Sequence, residues 1–378
     1  MVVRACLRSR WEAAVLDEVR TAAAQPDFDG AAVAAAAQAE GVAPLVYSVI
    51  RDQGWLSAEA EQPLRMAYYQ NARRNVLLFR ELGVVLQHLT AAGIPVIVLK
   101  GAALAHIVYA NPAVRPMCDV DLLVREADVP AALRVLRDVG FTLIPPRAYR
   151  NEVMARRTSA FDFVIELHWH LFVIPYYIYT LSNAWLWETV LPLQIEGNAV
   201  HSLGPEAQLL HLCGHLYLHH ALEGSQVQLI WLHDIAEVLR QYQAVLDWPA
   251  FLDAAQCYGL VQPVQKVFAL LRGLHLPIPV PVFALVDLLS PTCAEQRVFE
   301  AHTASRRNRW LRLWADWEQI PGWQQRLHFL WHNLFPPVPY MHALYQISPR
   351  RLPGCYLMRL LGRELCTHPL DTNYDLEL

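Results

Sequence analysis

Two aspartates one residue apart, Asp119 and Asp121, open the run Asp119-Val-Asp-Leu-Leu-Val124 and form the strongest chemical signal in the chain. Along an extended strand alternate side chains share a face, so both carboxylates project to one side and Val120 to the other. Unit charges about 4 Å apart repel by roughly 4 kcal/mol at an effective dielectric near 20, so the pair calls for a cation, a proton or open water. Oxygen-only ligation favours Mg2+ or Mn2+, ions that keep waters and share phosphate oxygens with a substrate. Glu166, in the extended run 161–170, supplies a third acid. With its strand beside that of the aspartates, three carboxylates could hold two metal ions about 4 Å apart on an attacking and a leaving oxygen. Glu166 would then also help to deprotonate the nucleophile. The plainer alternatives are a solvent-facing strand edge for the aspartates, and for Glu166 a buried salt bridge with Arg115 or Arg125.

Upstream, Leu99-Lys100-Gly101-Ala102-Ala103-Leu104 marks a strand-to-helix junction, where the glycine leaves backbone N–H groups free to approach phosphate oxygens at a helix N-terminus. Lys100 and Lys266 are the only two lysines against 29 arginines, so a lysine beside this glycine is compositionally unexpected and suits a compact charge on phosphate. A packing glycine and a surface lysine are the competing reading. Arg115, just before the aspartates, could meet a triphosphate bidentately or be a loop arginine in solvent. His168 and His170 repeat the parity of Glu166; either could face the same cleft as a phosphate donor or base, or be a hydrogen-bonded core histidine. His215 and His219, four apart, with His233-Asp234 further on, mimic zinc or phosphohydrolase spacing but lack the glutamate of HExxH. Helix packing is the preferred reading there, with Asp234 bracing the helical part against the core.

These residues need a scaffold. Periodicity predicts short Ala-rich helices over 8–52, a long helix over 57–92 stopped by Gly93, a buried strand Pro95-Val-Ile-Val-Leu99, a helix from Gly101 to about Tyr109 and a Pro-containing loop over 111–117. The aspartate strand follows, then a helix over about 126–138 ended by Gly140, a strand near 141–144, a polar loop, and the Glu166 strand. Beyond Trp185 the pattern reads as almost wholly helical, with segments at 205–220, 225–243, 248–257, 262–274, 283–289, 294–317 and 322–334. The fold class is therefore α+β: a mixed α/β core over 61–184, an N-terminal helical segment over 1–60 and an α-helical domain over 185–378.

Composition sets limits. At 378 residues there is ample chain for a core, and 54% apolar against 17% charged residues argues against disorder. The most apolar runs, 163–181 and 267–290, carry charges and prolines and do not read as membrane spans. The first twenty residues carry scattered charges and do not read as a signal peptide. Seven scattered cysteines without a CxxC pair point to a reducing cytoplasm. A net charge of −4 gives no drive toward stable duplex nucleic acid. Trp310, Trp314, Trp317, Trp323 and Trp331 have spacing ordinary for core, while arginines interleaved through 306–331 leave room for weak association with a membrane surface.

Leu99-Lys100-Gly101-Ala102-Ala103-Leu104, Arg115-Pro-Met-Cys-Asp-Val-Asp-Leu-Leu-Val124 and Val164-Ile-Glu-Leu-His-Trp169 together resemble the largely uncharacterised bacterial nucleotidyltransferases of the DNA polymerase β-like superfamily. The segments 205–215 and Trp231-Leu-His-Asp-Ile235 resemble the helical half that follows the core in that family, and 60–290 carries most of the likeness. The resemblance implies a polymerase β-like sheet, with Asp119 and Asp121 as the paired metal-binding aspartates, Glu166 as the third carboxylate and Gly101 against nucleotide phosphate. It implies Mg2+ or Mn2+ as cofactor and a nucleoside triphosphate, ATP among them, as donor to an acceptor hydroxyl that the sequence does not identify. Ala102 stands where the wider superfamily usually has serine or glycine, and the interval from Gly101 to Asp119 is longer, as in this family. Two other readings stay open: a degenerate core that binds nucleotide or a partner without turnover, and a toxin-like enzyme acting on protein or transfer RNA.

Overall fold

The computed structural model describes residues 2–10, 12–109, 111–144, 152–158, 162–221, 227–274, 278–304, 309–338, 341 and 354–357. Four short helices come first, α1 (Val2–Arg8), α2 (Val15–Ala23), α3 (Gly30–Ala39) and α4 (Ala43–Ile50), followed by the long α5 (Ala58–Ala91). Ser57 caps α5 by accepting from the Ala60 N–H. Gly93, at φ +70°, ends the helix, and the Ile94 N–H reaches back to the Leu89 carbonyl.

Then come β1 (Ile97–Val98), α6 (Lys100–Ile107), β2 (Asp119–Leu123), α7 (Val129–Asp138), β3 (Thr142–Ile144), β4 (Glu152–Thr158), β5 (Asp162–His168), α8 (Pro175–Thr180), α9 (Asn183–Glu188), β6 (Leu191–Ile195) and β7 (Asn198–Ser202). The strands form one mixed sheet of seven in the order β3-β4-β5-β2-β1-β7-β6. β2 runs parallel to β5 and β1 parallel to β7; the other neighbours are antiparallel. Beyond the sheet lie α10 (Pro205–Gly214), which runs on as a π-helical turn over His215–Ala221, and α11 (Leu229–Tyr242), α12 (Trp248–Cys257), α13 (Val261–Leu271), α14 (Val280–Leu288), α15 (Cys293–Ala304), α16 (Arg309–Gln319) and α17 (Trp323–Leu334).

The sheet has two differently used faces. Val98, Val120, Leu122, Phe163, Ile165 and Leu167 point into a core closed by α5 and α7. Ile97, Leu99 and Leu123 join a second core that runs without a break from the N-terminal helices to α10–α13. Asp119 and Asp121 share the parity of Leu123, so the site sits on the second face.

Three expectations are corrected. Part of the expected polar loop forms β4, in which only Val153 and Ala155 are buried, so its apolar content is low for a strand. The chain beyond Trp185 is not wholly helical: β6 and β7 make a hairpin that places β7 beside β1. Its two-residue turn, Glu196-Gly197, has positive φ at both positions, the geometry suited to strand twist. Of the five C-terminal tryptophans only Trp317 packs against a core cluster, that of Leu313, Ile320 and Phe329, while Trp310, Trp314, Trp323 and Trp331 are 48, 58, 69 and 61% exposed. Helical spacing fixes which side chains share a face, but not whether anything covers it. The predicted helix over 294–317 corresponds to α15 and α16, with 305–308 outside the described residues.

Candidate active site

Parallel pairing of β2 and β5 sets Asp121 directly opposite Glu166, Asp119 opposite Val164 and Leu123 opposite His168. Antiparallel pairing of β4 with β5 adds Glu152 opposite His168 and Met154 opposite Glu166. With the two-residue period, Asp119, Asp121, Glu166, His168 and Glu152 all fall on one face across three adjacent strands. Asp121 and His168 are buried, while Asp119 and Glu166 keep partial access to solvent.

Lys100 closes the group from the end of β1. Its φ of +46° is left-handed, a conformation that costs a non-glycine residue roughly 1 to 3 kcal/mol. The turn delivers Nζ to Asp121 Oδ1 at 2.7 Å, and the Leu99 N–H donates to the Asp121 carbonyl at 3.0 Å, so backbone and side chain both fasten this junction to β2. His168 Nε2 lies 3.0 Å from the same Oδ1 and 3.5 Å from Glu166 Oε2, and its Nδ1 lies 3.3 Å from Glu152 Oε2. The imidazole expected to meet phosphate is thus turned inward among three acids.

The electrostatics follow from this crowding. Burial alone would raise the Asp121 carboxyl, but Lys100 and His168 hold it well below the usual carboxylate range. Asp119 is pushed up by burial and by the charges of Asp121 and Glu166, against the partial relief of Lys100 and Arg115. Burial opposes the charge on His168, yet hydrogen bonds to Asp121 and Glu166 and the charge of Glu152 raise it to about 10. One carboxylate is well compensated and its neighbour is not, as expected where a further cation belongs.

The phosphate-loop residues are placed differently from one another. Gly101 and Ala102 are buried in the first turn of α6. Gly101 sits in a close approach: a Cβ there would stand 3.2 Å from Arg115 Nη1, so the guanidinium would have to shift by a few tenths of an ångström. Arg115 is neither a solvent arginine nor the partner of Glu166. Its Nε and Nη2 donate to Asp234 at 2.9 and 2.6 Å, Nη1 donates to the Pro116 carbonyl, and Tyr109 donates to Asp234 at 2.7 Å. Asp234 on α11 therefore braces the helical half against the loop before β2, as expected. Asn75 of α5 holds the same loop, donating to the carbonyls of Pro112 and Arg115 at 2.7 and 2.9 Å. The Arg125 guanidinium lies over the Trp187 ring at 4.4 Å.

Other candidates lie elsewhere. His170 lies two residues beyond the end of β5, and its Nδ1 is 3.1 Å from Asn183 Nδ2. His233 sits 3.4 Å from Glu237, one turn along α11. His215 begins the π-helical turn, which breaks the four-residue spacing; the side chain of His219 lies outside the described residues. Among the described residues, one group of three or more donors is spaced for a metal ion: Asp121, Glu166 and His168, whose ligand atoms all lie within 4.8 Å of one another. Asp119 is on the same face but outside that group.

Sequence reasoning missed Glu152, Gln208 and His211. Alternation in 152–158 could have revealed the first. On α10, Gln208 and His211 are each 1% exposed, and none of their four side-chain polar atoms has a hydrogen-bond partner among the described residues. Burial and the charge of Lys100 lower His211 to about 3, so it stands as neutral imidazole within electrostatic reach of the acids. Nothing in a single apolar helix pattern signals such a pair.

The donor set suits a divalent cation: carboxylates from two paired strands, one nitrogen, and a lysine ammonium already compensating the most buried acid. The profile of a family described as "Uncharacterised nucleotidyltransferase" matches residues 26–274, which spans the sheet, this site and the helices through α13. A comparison with curated proteins returns no match. Among solved structures, the crystal structure of an antigenic nucleotidyltransferase-like protein from Paracoccidioides brasiliensis is similar at 18% identity with a TM-score of 0.37, covering 57% of this chain and 94% of its own. That score is too low for the likeness to bear on the site.

Proposed function

The chain belongs to the uncharacterised nucleotidyltransferase family, and from that premise we propose that it transfers a nucleoside monophosphate from a nucleoside triphosphate to an acceptor hydroxyl, using Asp119, Asp121 and Glu166. The observation that carries this reading is the register of Asp121 against Glu166, with Asp119 two residues along the same face.

In this reading the acceptor oxygen bonds to the α-phosphorus, the bond from that phosphorus to the bridging oxygen breaks, and pyrophosphate leaves. Glu166 takes the hydroxyl proton. Mg2+ or Mn2+, held by the three carboxylates, would supply charge neutralisation on the phosphates and acidify the acceptor. The backbone N–H groups of Gly101 and Ala102 face the phosphates at the start of α6. Lys100 exchanges Asp121 for a phosphate oxygen as the triphosphate enters, and Arg115, locked behind Gly101, adds fixed positive charge without moving. Positioning and charge neutralisation provide most of the catalysis. The scattered cysteines suit work in a reducing cytoplasm; six of them are free among the described residues. No helix of the described residues is long and apolar enough to cross a membrane.

A second reading is favoured by one contact, the Lys100–Asp121 ion pair, which already neutralises the most buried acid of the site. On that reading the core binds nucleotide without turnover. Incubation of the full chain with cell extract and triphosphates separates the two. Catalysis predicts that label from the α-phosphate, and not from the γ-phosphate, appears in product, and that Asp121→Asn abolishes it. Full transfer by Asp121→Asn refutes the assignment of the site; calorimetric binding without pyrophosphate release selects the non-catalytic reading.

A further inference from the structure

His168 is buried, and both of its ring nitrogens are turned to carboxylates on its own sheet. Nε2 is 3.0 Å from Asp121 Oδ1 and 3.5 Å from Glu166 Oε2, and Nδ1 is 3.3 Å from Glu152 Oε2. Adjacent ligands of an octahedral ion with bonds near 2.1 Å stand about 3 Å apart, so Nε2 and Oδ1 already have the separation of two neighbouring ligands. Glu166 completes a group whose donor atoms lie within 4.8 Å of one another.

We infer that His168 is a metal ligand through Nε2, whose proton leaves to solvent as the ion binds, and that Glu152, directly across the β4–β5 pair, accepts from Nδ1 and fixes the ring. Carboxylates that hold the far nitrogen of a ligating histidine set its tautomer and strengthen it as a donor. The inference rests on the proposed function only in that Asp121 and Glu166 must hold a divalent ion. It adds a nitrogen to a site otherwise read as all oxygen, and with it a choice of metal. Mg2+ takes oxygen ligands and keeps its waters, whereas imidazole favours first-row transition ions. The site therefore prefers Mn2+ to Mg2+ by more than an all-carboxylate site would.

The test is pulsed electron paramagnetic resonance of Mn2+ bound to the full-length protein, with and without 15N-histidine labelling, which leaves the fold untouched. A directly coordinated nitrogen coupling that changes from 14N to 15N on labelling is expected, along with its loss in His168→Gln. Competition between the two ions should show the Mn2+ preference narrowing at least about tenfold in His168→Gln, and Glu152→Gln should keep the coupling while weakening Mn2+ by about 10- to 100-fold. Mn2+ that binds wild type, is lost in Asp121→Asn and shows no histidine nitrogen would overturn the inference and leave the proposed function standing. So would a coupling that survives in His168→Gln. Mn2+ that fails to bind wild type, or binds Asp121→Asn equally well, removes the proposed function and this inference together.

Discussion

At Gly101 a methyl group would crowd the Arg115 guanidinium at 3.2 Å, and the hydrogen bonds of that guanidinium to Asp234 resist its retreat. Gly101→Ala should therefore overpack the junction and destabilise the protein by about 1 to 3 kcal/mol, read from the urea midpoint. A midpoint equal to wild type would mean that Arg115 yields. That the three acids share one face was legible because it is written in residue type and period, Asp-x-Asp on a strand and a glutamate on another, whereas the seat of Lys100 on Asp121 was not. Nor was that of Arg115. Its side chain is committed to a residue 119 positions away, and no local pattern distinguishes an arginine bound for phosphate from one bound for a distant aspartate. Gln208 and His211 were invisible for a related reason: a helix buried all round looks apolar whatever two of its residues leave unpaired.

Between elements, the Arg115–Asp234 pair and Tyr109 join the loop before β2 to α11. Removing one partner leaves a buried charge, so Asp234→Ala should cost about 3 to 5 kcal/mol, whereas Arg115→Met combined with Asp234→Leu should recover much of the loss. A double-mutant cycle in denaturant checks this, and additive single losses would show that the pair does not join the two parts. The sequence showed α5, β1, β2, β5 and α7 with ends close to those observed, because long periodic runs and stops such as Gly93 and Gly140 are local signals. The strands β4, β6 and β7 were lost because each buries at most alternate positions, and short segments then resemble loop. The Glu196-Gly197 turn was the overlooked signal.

Over the whole molecule, one apolar cluster joins the first helices to those after the sheet, and Arg10 adds an ion pair to Glu237 on α11. Burial would raise the Glu237 carboxyl, but His233 and Arg10 lower it to about 2. A depressed acid stabilises the fold above its unfolded value near 4.5 and loses that contribution as pH falls through its folded value. Between those limits wild type should lose about 3 kcal/mol more than Glu237→Gln; parallel acid-unfolding curves would contradict this. That the N-terminal segment and the helical half share a core was not legible, since amphipathic faces announce burial without naming their partner. The exposed tryptophans of α16 and α17 show the same limit from the other side. The central claim is that the face shared by β2 and β5 holds a divalent ion against a triphosphate. A crystal grown with Mn2+ and a non-hydrolysable α,β-substituted triphosphate tests it most directly. The account predicts anomalous density contacting Asp121 and Glu166 with phosphate oxygens alongside; nucleotide bound elsewhere, or Lys100 still seated on Asp121 with no ion present, would contradict it.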